Sequence, residues 1–399
     1  MPDNKYIVLT VFGNNQPYLI ADVCSVVTDS KLNIVAVEQN ALHGLFVMFM
    51  ITEPVEKTEA AEEACLRLKR NAKTLSLDVH IDLVEPSAAL KRVDKSLQVF
   101  TIIGRDKVGI LKAISNALAN FRVNIERMRH LARGELVALE MLVDASELRD
   151  LSVLKDVIQR TCDEVGFDTI IQPDTPFRQR RRLVVFDMDR TIIDGEVIDE
   201  LARAAKVGDQ VAQITGRAMS GKIGFKDALR QRVALLKGLP VSVLEEVAKD
   251  MQLTAGTYEL VSTLKAMGFK LALISGGFKF FADRLEEQLG FDHAFANDLE
   301  IEDGVLTGKV KGRIIDAEGK GKIVRELAER EGLSMEEIVA VGDGANDEIM
   351  LKNAGLGIAF NAHDLLKKVA DGQLTASNLV GLQYCLGATD RDMLRMKQA

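Results

Sequence analysis

Two stretches of the chain share one pattern of apolar and polar positions, at a constant spacing of 91 residues. Each copy opens with an apolar strand and turns at a glycine into a stretch whose apolar side chains recur every three or four residues, which predicts a helix. The strands are Tyr6–Phe12 and Leu97–Ile103, the matching positions include Gly13 and Gly104, Ile20 and Leu111, and Asn33-Ile34 and Asn124-Ile125, and the helical face of the second copy carries Ile110, Ile114, Leu118 and Phe121.

The rest of each copy predicts two strands around a turn, a second helix and a short last strand. The resulting order, βαββαβ, is that of a ferredoxin-like fold. We therefore expect two such domains, at 1–86 and 95–173. The strand pairs are Val35–Asn40 with Leu45–Thr52 and Glu126–Ala132 with Leu136–Val143, and the second helices are Glu56–Ala72 and Ala145–Val165.

The run Gly104-Arg105-Asp106-Lys107-Val108-Gly109-Ile110-Leu111, with Asn124-Ile125 downstream, resembles an ACT domain, a small amino-acid-sensing module. The resemblance implies an effector pocket at the glycine turn, where N–H groups of the helix start face an anion. Its expected residues are Gly104, Asp106, Gly109 and Asn124. The first copy has the bulky Tyr18 where the second has Gly109, which argues against a ligand there. The alternative role for both copies is subunit association alone, and we expect a homodimer or higher homo-oligomer.

A proline-containing break, Pro173-Asp174-Thr175-Pro176, separates the repeat from the rest of the chain. The basic run Arg178-Gln179-Arg180-Arg181-Arg182 follows it. A nucleic-acid patch is one interpretation, but the run is short and carries no interleaved aromatic residues. We therefore expect residues 174–182 to be a solvated linker.

From residue 183 onward, buried apolar runs alternate with long helical stretches, which predicts a doubly wound α/β fold with a parallel sheet. Each run leads directly into polar residues and glycines. Ligands of open α/β sheets bind at the carboxyl ends of the strands, so we expect the site there. The runs are Leu183–Phe186, Lys270–Ile274 and Ile338–Val341, and the polar segments are Asp187-Met188-Asp189-Arg190-Thr191, Ser275-Gly276-Gly277 and Gly342-Asp343-Gly344-Ala345-Asn346-Asp347.

These side chains suit phosphoryl transfer. Asp187 and Asp189 alternate, so in a strict strand both would face one side, and with Asp343 they form an oxygen-rich site for Mg²⁺. One carboxylate can attack phosphorus and the other can donate a proton to the leaving alcohol. The hydroxyl of Ser275 and the N–H of Gly276 can hold phosphoryl oxygens. A lysine must neutralise the developing charge, and the candidates are Lys320 and Lys322.

In this order and spacing, the motifs between 183 and about 372 resemble the phosphatases of the haloacid dehalogenase superfamily. The resemblance implies a Mg²⁺-dependent enzyme with an aspartyl-phosphate intermediate. It assigns the roles residue by residue: Asp187 is the nucleophile, Asp189 the general acid and base, Lys320 the active-site lysine, Ser275 and Asn346 phosphate ligands, and Asp187, Asp189, Asp343 and Asp347 the metal site.

About 75 residues, mostly helical in pattern, lie between Asp194 and Lys270. This is too long for an ordinary loop and predicts a helical cap at approximately 195–255 that closes over a substrate, within a domain spanning 183–399. The cap resembles that of the phosphoserine phosphatase family in three segments. By that resemblance Glu196 accepts the substrate ammonium, Arg232 holds its carboxylate, and Phe225 and Met219 exclude water. The segments are 195–202, 219–225 and 229–240.

Three residues leave alternatives open. Glu196 also suits the first turn of a helix, where the dipole favours a carboxylate. Arg232 also suits the surface of the cap. Arg190 departs from the family, which usually carries a small residue there. It either points to solvent, pairs with an acid or reaches the site.

Charge and composition exclude other classes of function. The formal net charge is −8, which gives no general attraction to nucleic acid or an anionic membrane. Four scattered cysteines form no disulfide framework, and no apolar run is long enough for a membrane span. The start, Met1-Pro2-Asp3-Asn4-Lys5, does not resemble a signal peptide. We therefore expect a cytoplasmic location, and a short polar helix or frayed tail at 391–399.

Taken together, the resemblances imply Mg²⁺-dependent hydrolysis of O-phospho-L-serine, the final step of serine biosynthesis. They also imply regulation through the ACT domains by an amino acid such as serine. Two alternatives remain open. One is a phosphatase or phosphotransferase for another small phosphate ester, and the other is a weakly active amino-acid sensor.

Overall fold

The computed structural model describes residues 5–56, 59–75, 77–85, 95–134, 136–375, 378–390 and 392–393. The predicted tail at 391–399 lies almost entirely outside these residues. The chain forms two compact units, Met1–Asp94 and Lys95–Ala399. Among the described residues, every helix is too short or too polar to cross a membrane.

The first unit has the predicted βαββαβ order. Its antiparallel sheet has the strand order β2-β3-β1-β4. The alternating side chains Ile7, Leu9 and Val11 of β1 are buried in its core. The second helix begins at Ala61 rather than at the predicted Glu56. The elements are β1 (Tyr6–Asn14), α1 (Leu19–Asp29), β2 (Leu32–Leu42), β3 (Leu45–Pro54), α2 (Ala61–Asn71) and β4 (Asp78–Val84).

The second copy of the repeat has the same order of elements and begins the second unit. Its last helix begins at Leu151, later than the predicted Ala145, because the side chain of Asp150 caps it by accepting the N–H of Ser152 at 2.8 Å. The elements are β5 (Leu97–Arg105), α3 (Ile110–Asn120), β6 (Asn124–Ala132), β7 (Leu136–Asp144), α4 (Leu151–Val165) and β8 (Phe167–Pro173).

The remainder of the second unit is the predicted doubly wound α/β fold. The three predicted apolar runs are neighbouring parallel strands, with β9 between β10 and β13. Five helices, α5 to α9, lie between β9 and β10 in the chain. The elements are β9 (Leu183–Phe186), α5 (Val197–Ala204), α6 (Gly208–Met219), α7 (Phe225–Ala234), α8 (Val241–Asp250), α9 (Thr257–Ala266), β10 (Lys270–Phe278), α10 (Lys279–Leu289), β11 (His293–Glu302), β12 (Val305–Lys311), α11 (Ala317–Glu331), β13 (Ile338–Gly342), α12 (Glu348–Asn353), β14 (Leu356–Phe360), α13 (Asp364–Lys367), β15 (Gly372–Leu374) and α14 (Gly381–Cys385).

One sheet runs through the whole second unit. Strand β15 pairs in parallel with β14 and meets β8 of the second copy in antiparallel orientation, with Gly372 opposite Ile170. A Cβ atom at Gly372 would lie 2.4 Å from the side chain of Ile170, so this junction requires glycine. Thr375 reinforces it, because its N–H and hydroxyl both donate to the carboxylate of Asp168, at 2.9 and 2.6 Å.

The side of this sheet away from α3 and α4 is also covered. Ile103 and Ile170 share one hydrophobic core with Leu379, Leu382 and Cys385 around α14. The second copy of the repeat is therefore packed against the C-terminal fold. An apolar sheet face gains free energy from such a cover, which explains why the two parts form one unit.

Two of the four arginines in the basic run are exposed, as expected of the predicted solvated linker, but the other two are not. The side chain of Arg178 is only 8% exposed and forms an ion pair with the buried Glu140 of β7, which Arg129 also contacts at 2.7 Å. Arg181 is likewise 8% exposed, and burial lowers its pKa to about 10. The prediction of a solvated run is wrong for these two arginines, because charge alone does not show that a neighbouring strand carries a buried carboxylate.

Candidate active site

A cavity of about 640 Å³ opens at the carboxyl ends of β9, β10 and β13. Helices α5 to α7 contribute its opposite wall. The location is the one expected for a ligand site in an open α/β sheet. Of the residues predicted from the sequence, those that line this cavity are Asp187, Asp189, Arg190, Glu196, Met219, Phe225, Arg232, Gly276, Asp343 and Asn346.

The two aspartates after β9 are oriented by a turn. The strand ends at Phe186, so strand alternation does not govern their directions. The N–H of Asp187 donates to the carbonyl of Val341 at 2.9 Å, which holds the start of the turn against β13. The carboxylate of Asp189 accepts the N–H of Val197 at 2.8 Å. Asp189 is thereby tied to the first residue of helix α5.

The two candidate lysines, Lys320 and Lys322, lie in different surroundings. Its side chain is fully buried, and Nζ lies 2.7 Å from Asp187 and 2.6 Å from Asp347. Burial by itself would lower the pKa of Lys320, but these two carboxylates raise it above its usual value. Lys322 is exposed and pairs with Glu326 on its own helix. Of the two candidates, Lys320 is therefore the one that lies beside the aspartates.

Three buried carboxylates, those of Asp187, Asp343 and Asp347, lie within 4.8 Å of one another. Burial, with the charge of Asp347 adding to it, raises the pKa of Asp343 to about 7, and the same two causes raise that of Asp187 well above its usual value. One lysine faces these three acids, and the remaining negative charge suits a hard divalent cation with oxygen ligands. The donor set therefore fits Mg²⁺.

Asp189 was predicted to be a metal ligand, but its side chain is outside this group of three. One of its oxygens accepts the N–H of Val197, and the other lies 3.3 Å from the hydroxyl of Ser275. Burial raises the pKa of Asp189 to about 6, and the charge of Glu196 adds to the increase. These contacts suit a carboxyl group that exchanges a proton.

Strand β10 extends past the predicted Ile274 to Phe278, and its last residues bring backbone close to the aspartates. Ser275 is buried, and its hydroxyl accepts the N–H of Gly277 at 2.8 Å. A Cβ atom at Gly277 would lie 2.5 Å from a carboxylate oxygen of Asp189, so only glycine fits there. Gly276 lines the cavity next to Phe225. A Cβ atom at Gly276 would lie 2.9 Å from the ring of Phe225.

The two cap residues differ in burial and in partners: Glu196 is half-buried and ion-paired, whereas Arg232 is buried without an ion-pair partner among the described residues. Glu196 precedes α5 without capping it through its side chain, and its carboxylate lies 3.0 Å from Arg190. Arg232 is 8% exposed, so the cap-surface alternative is wrong. One of its terminal nitrogens is 3.5 Å from the hydroxyl of Thr215, and its Nε has no acceptor among the described residues. Burial lowers the pKa of Arg232.

Met219 lines the cavity, but it is 70% exposed. The water-excluding role predicted for it is therefore not seen in this arrangement of the cap. Sequence reasoning also missed the ion pair between Lys226 of α7 and Asp316, at 2.8 Å, which joins the cap to the start of α11. The signal for Asp316 was its position as a helix cap, where it accepts the N–H of Gly319.

The comparisons with known proteins agree with this architecture. Residues 181–355 match the haloacid dehalogenase-like hydrolase family, and residues 5–82 and 96–172 each match the ACT domain family. The structure is similar to a haloacid dehalogenase family hydrolase from Salmonella enterica (TM-score 0.62, 31% identity), covering 72% of this chain and 98% of that one. The fold and site thus define a haloacid dehalogenase-like hydrolase with two ACT domains.

The curated relatives narrow the class. The chain is 49% identical to a phosphoserine phosphatase of Archaeoglobus fulgidus, over 86% of this chain and 97% of that protein. It is 34% identical to a phosphoserine phosphatase of Mycobacterium tuberculosis, over 98% of this chain and 95% of that protein. The chain belongs to the phosphoserine phosphatase family.

Proposed function

We propose that this chain hydrolyses O-phospho-L-serine to L-serine and inorganic phosphate, the last step of serine biosynthesis. The observation that carries the proposal is the buried guanidinium of Arg232, which lines the same cavity as Asp187 and Glu196. A zwitterionic amino acid needs one cation for its carboxylate and one anion for its ammonium group. Arg232 and Glu196 supply this pair, which a phosphatase for simple alcohol esters would not need.

The reaction uses the two aspartates in sequence. A carboxylate oxygen of Asp187 bonds to phosphorus, the bond from phosphorus to the serine oxygen breaks, and that oxygen takes the proton of Asp189. Asp189 then removes a proton from water, whose oxygen attacks the aspartyl phosphate and releases phosphate and free Asp187. Lys320, 2.7 Å from Asp187, offsets the negative charge that gathers around phosphorus.

Asp187, Asp343 and Asp347 are the residues that would hold Mg²⁺ in this proposal. When bound, the ion would neutralise negative charge on the carboxylates and on the phosphoryl oxygens. The proposal draws support from the buried donor set and from the excess of acids over the single lysine.

Removal of divalent metal is expected to reduce phosphate release from phosphoserine by at least about 100-fold. The physical reason is that the buried carboxylates would then repel both the phosphate dianion and each other. The measurement is turnover after dialysis against EDTA, followed by titration with Mg²⁺. Calorimetry on the same sample reports ion binding independently of turnover, and Asp343→Asn should weaken that binding. Full activity in a protein shown to be metal-free would contradict the proposal.

We also propose that the second copy of the repeat binds an amino-acid effector, most simply the product L-serine, and that the repeat joins subunits into a homo-oligomer. Gly109 precedes α3 in a left-handed conformation with φ of 104°, which leaves the N–H groups of the helix start open to an α-carboxylate. Tyr18 precedes α1 in the same conformation, with φ of 73°, but carries a large side chain.

We further propose a cytoplasmic location. The cysteines of the described residues are all free thiols, which suits a reducing compartment.

The two copies provide a matched pair of variants for the regulatory proposal. Asn124→Ala is expected to remove any non-competitive inhibition by serine, because the amide oxygen that would accept the ammonium group is lost. Asn33→Ala, at the equivalent position of the first copy, should leave inhibition unchanged. The measurement is initial rate against serine concentration at several phosphoserine concentrations. Purely competitive inhibition, identical in both variants and the unmodified protein, would leave the repeat with a role in association only.

A further inference from the structure

The position of Arg190 is unusual for a long cationic side chain. The residue follows Asp189 directly and has a left-handed backbone, with φ of 56°, which few residues other than glycine and asparagine adopt readily. Its N–H donates to the carbonyl of Gly195 at 3.0 Å, so the turn closes on itself. The side chain extends along the cavity wall, and its guanidinium lies 3.0 Å from the carboxylate of Glu196.

This ion pair changes what the cavity offers a ligand. Glu196 is the group that the proposed function assigns to the substrate ammonium, and it already has a cation beside it. Its side chain is 23% exposed, and that of Arg190 is 48% exposed. Among the described residues no group accepts a hydrogen bond from the Nε of Arg232, on helix α7, so this nitrogen can donate to a carboxylate. With the pair formed, the described residues on the cap side of the cavity include one arginine without an ion-pair partner, Arg232, and no carboxylate without one.

The consequence depends on whether the ligand carries an ammonium group. The ammonium group of phosphoserine must displace Arg190 from Glu196 or share that carboxylate with it. It therefore gains less binding free energy from Glu196 than it would from an unpaired acid. An ester without an ammonium group leaves the pair intact and buries no unpaired carboxylate. In a site without Arg190, that same ester would leave Glu196 unpaired and close to the ester's own carboxylate, which is unfavourable.

We propose that Arg190 is a built-in counter-ion to Glu196, and that the site therefore also hydrolyses phosphate monoesters of short hydroxy carboxylic acids that lack an amino group. The proposal rests on the proposed function, because it uses the same nucleophile and the same role for Arg232. The chemistry is unchanged: the bond from phosphorus to the ester oxygen breaks, the hydroxy acid leaves with the proton of Asp189, and water completes the cycle by releasing phosphate.

The test compares phosphoserine with 3-phosphooxypropanoate, in which hydrogen replaces the ammonium group. For the unmodified protein, kcat/KM for the two esters is expected to differ by no more than about 30-fold, whereas sites that depend on one polar group reject analogues by far more. Arg190→Asn suits the left-handed backbone and should raise the preference for phosphoserine by at least about 10-fold, mainly through KM. Arg190→Lys keeps the charge, so its preference for phosphoserine should be close to that of the unmodified protein.

Two further comparisons make the result specific. Arg230→Asn removes an exposed arginine of α7 that pairs with Asp227, and it should leave the preference unchanged. In a Glu196→Gln background, Arg190→Asn should no longer alter the preference, because the partner of the ion pair has lost its charge. Thermal unfolding of each variant shows that the compared proteins are folded.

The outcomes separate this inference from the function on which it rests. If phosphoserine is hydrolysed but Arg190→Asn leaves the preference unchanged or reduces it, Arg190 is not a competing counter-ion and the inference fails alone. The inference also fails if kcat/KM of the unmodified protein for 3-phosphooxypropanoate is far more than about 30-fold below that for phosphoserine. If the unmodified protein hydrolyses other phosphate esters but not phosphoserine, the proposed function itself is wrong.

Discussion

Asp187→Asn is expected to lower kcat for phosphoserine by at least about 1,000-fold, because an amide is a far weaker nucleophile toward phosphorus than a carboxylate. The change keeps the size of the side chain. It also removes one of three mutually repelling buried acids, although Lys320 loses one of its two carboxylate partners. The fold should therefore survive. Single-turnover and steady-state phosphate release measure the effect, and thermal unfolding shows whether the protein is intact.

An exposed aspartate provides the control for this variant. Asp227→Asn, on α7, changes the same functional group outside the cavity and should leave kcat within about twofold of its original value. Beryllium fluoride, which mimics a phosphoryl group on aspartate, should bind the unmodified protein and not Asp187→Asn. Retention of more than about a tenth of the activity by a folded Asp187→Asn protein would rule out the covalent intermediate.

Arg232→Ala is expected to reduce kcat/KM for phosphoserine by about 30- to 1,000-fold, the equivalent of roughly 2–4 kcal/mol, because the substrate carboxylate is then buried without a partner. For phosphoethanolamine, which has the ammonium group but no carboxylate, kcat/KM should fall much less. The free energy of unfolding should not fall, since the variant removes a buried cation whose Nε has no acceptor among the described residues. Kinetics with both esters and chemical denaturation provide the two measurements.

The neighbouring arginine on the same helix serves as the comparison. Arg230→Ala removes a 63% exposed side chain and should change neither substrate's kcat/KM appreciably. Arg232→Lys should recover only part of the loss, because an ammonium group cannot form the paired contacts of a guanidinium with a carboxylate. Equal losses on both substrates would show that Arg232 acts on phosphate binding or on folding rather than on the carboxylate.

Much of the fold could be predicted from the chain alone, because it depends on local periodicity. The repeat, its βαββαβ order and the three neighbouring strands of the parallel sheet follow from apolar spacing, which the burial of Leu183–Phe186 illustrates. The same reasoning placed Asp187, Ser275 and Asp343 at strand ends, and strand ends of a parallel sheet lie together. Side-chain type and chain order were sufficient for this part of the site.

Contacts that depend on packing or on the direction of a flexible side chain were not accessible in this way. Pattern alone could not separate Lys320 from Lys322, since both suit helix α11, and only packing puts one of them between Asp187 and Asp347. The same holds for the partner of Arg190, whose three alternatives differ only in the direction of a flexible side chain. In the structure it reaches Glu196, six residues further along the chain, because the turn after Asp189 brings the two together.

By itself, then, the sequence determined the elements, their order and the kinds of chemical group at the strand ends, because each depends on residues close together in the chain. Tertiary structure decided how those groups are paired and which of them are buried. This dependence is seen for Arg178 and Arg181 in the basic run, for Arg232 in the cap and for Asp189 beside the group of three acids. Burial and ion pairing depend on which surfaces come together on folding. The local sequence around a residue does not identify the residues that it will contact.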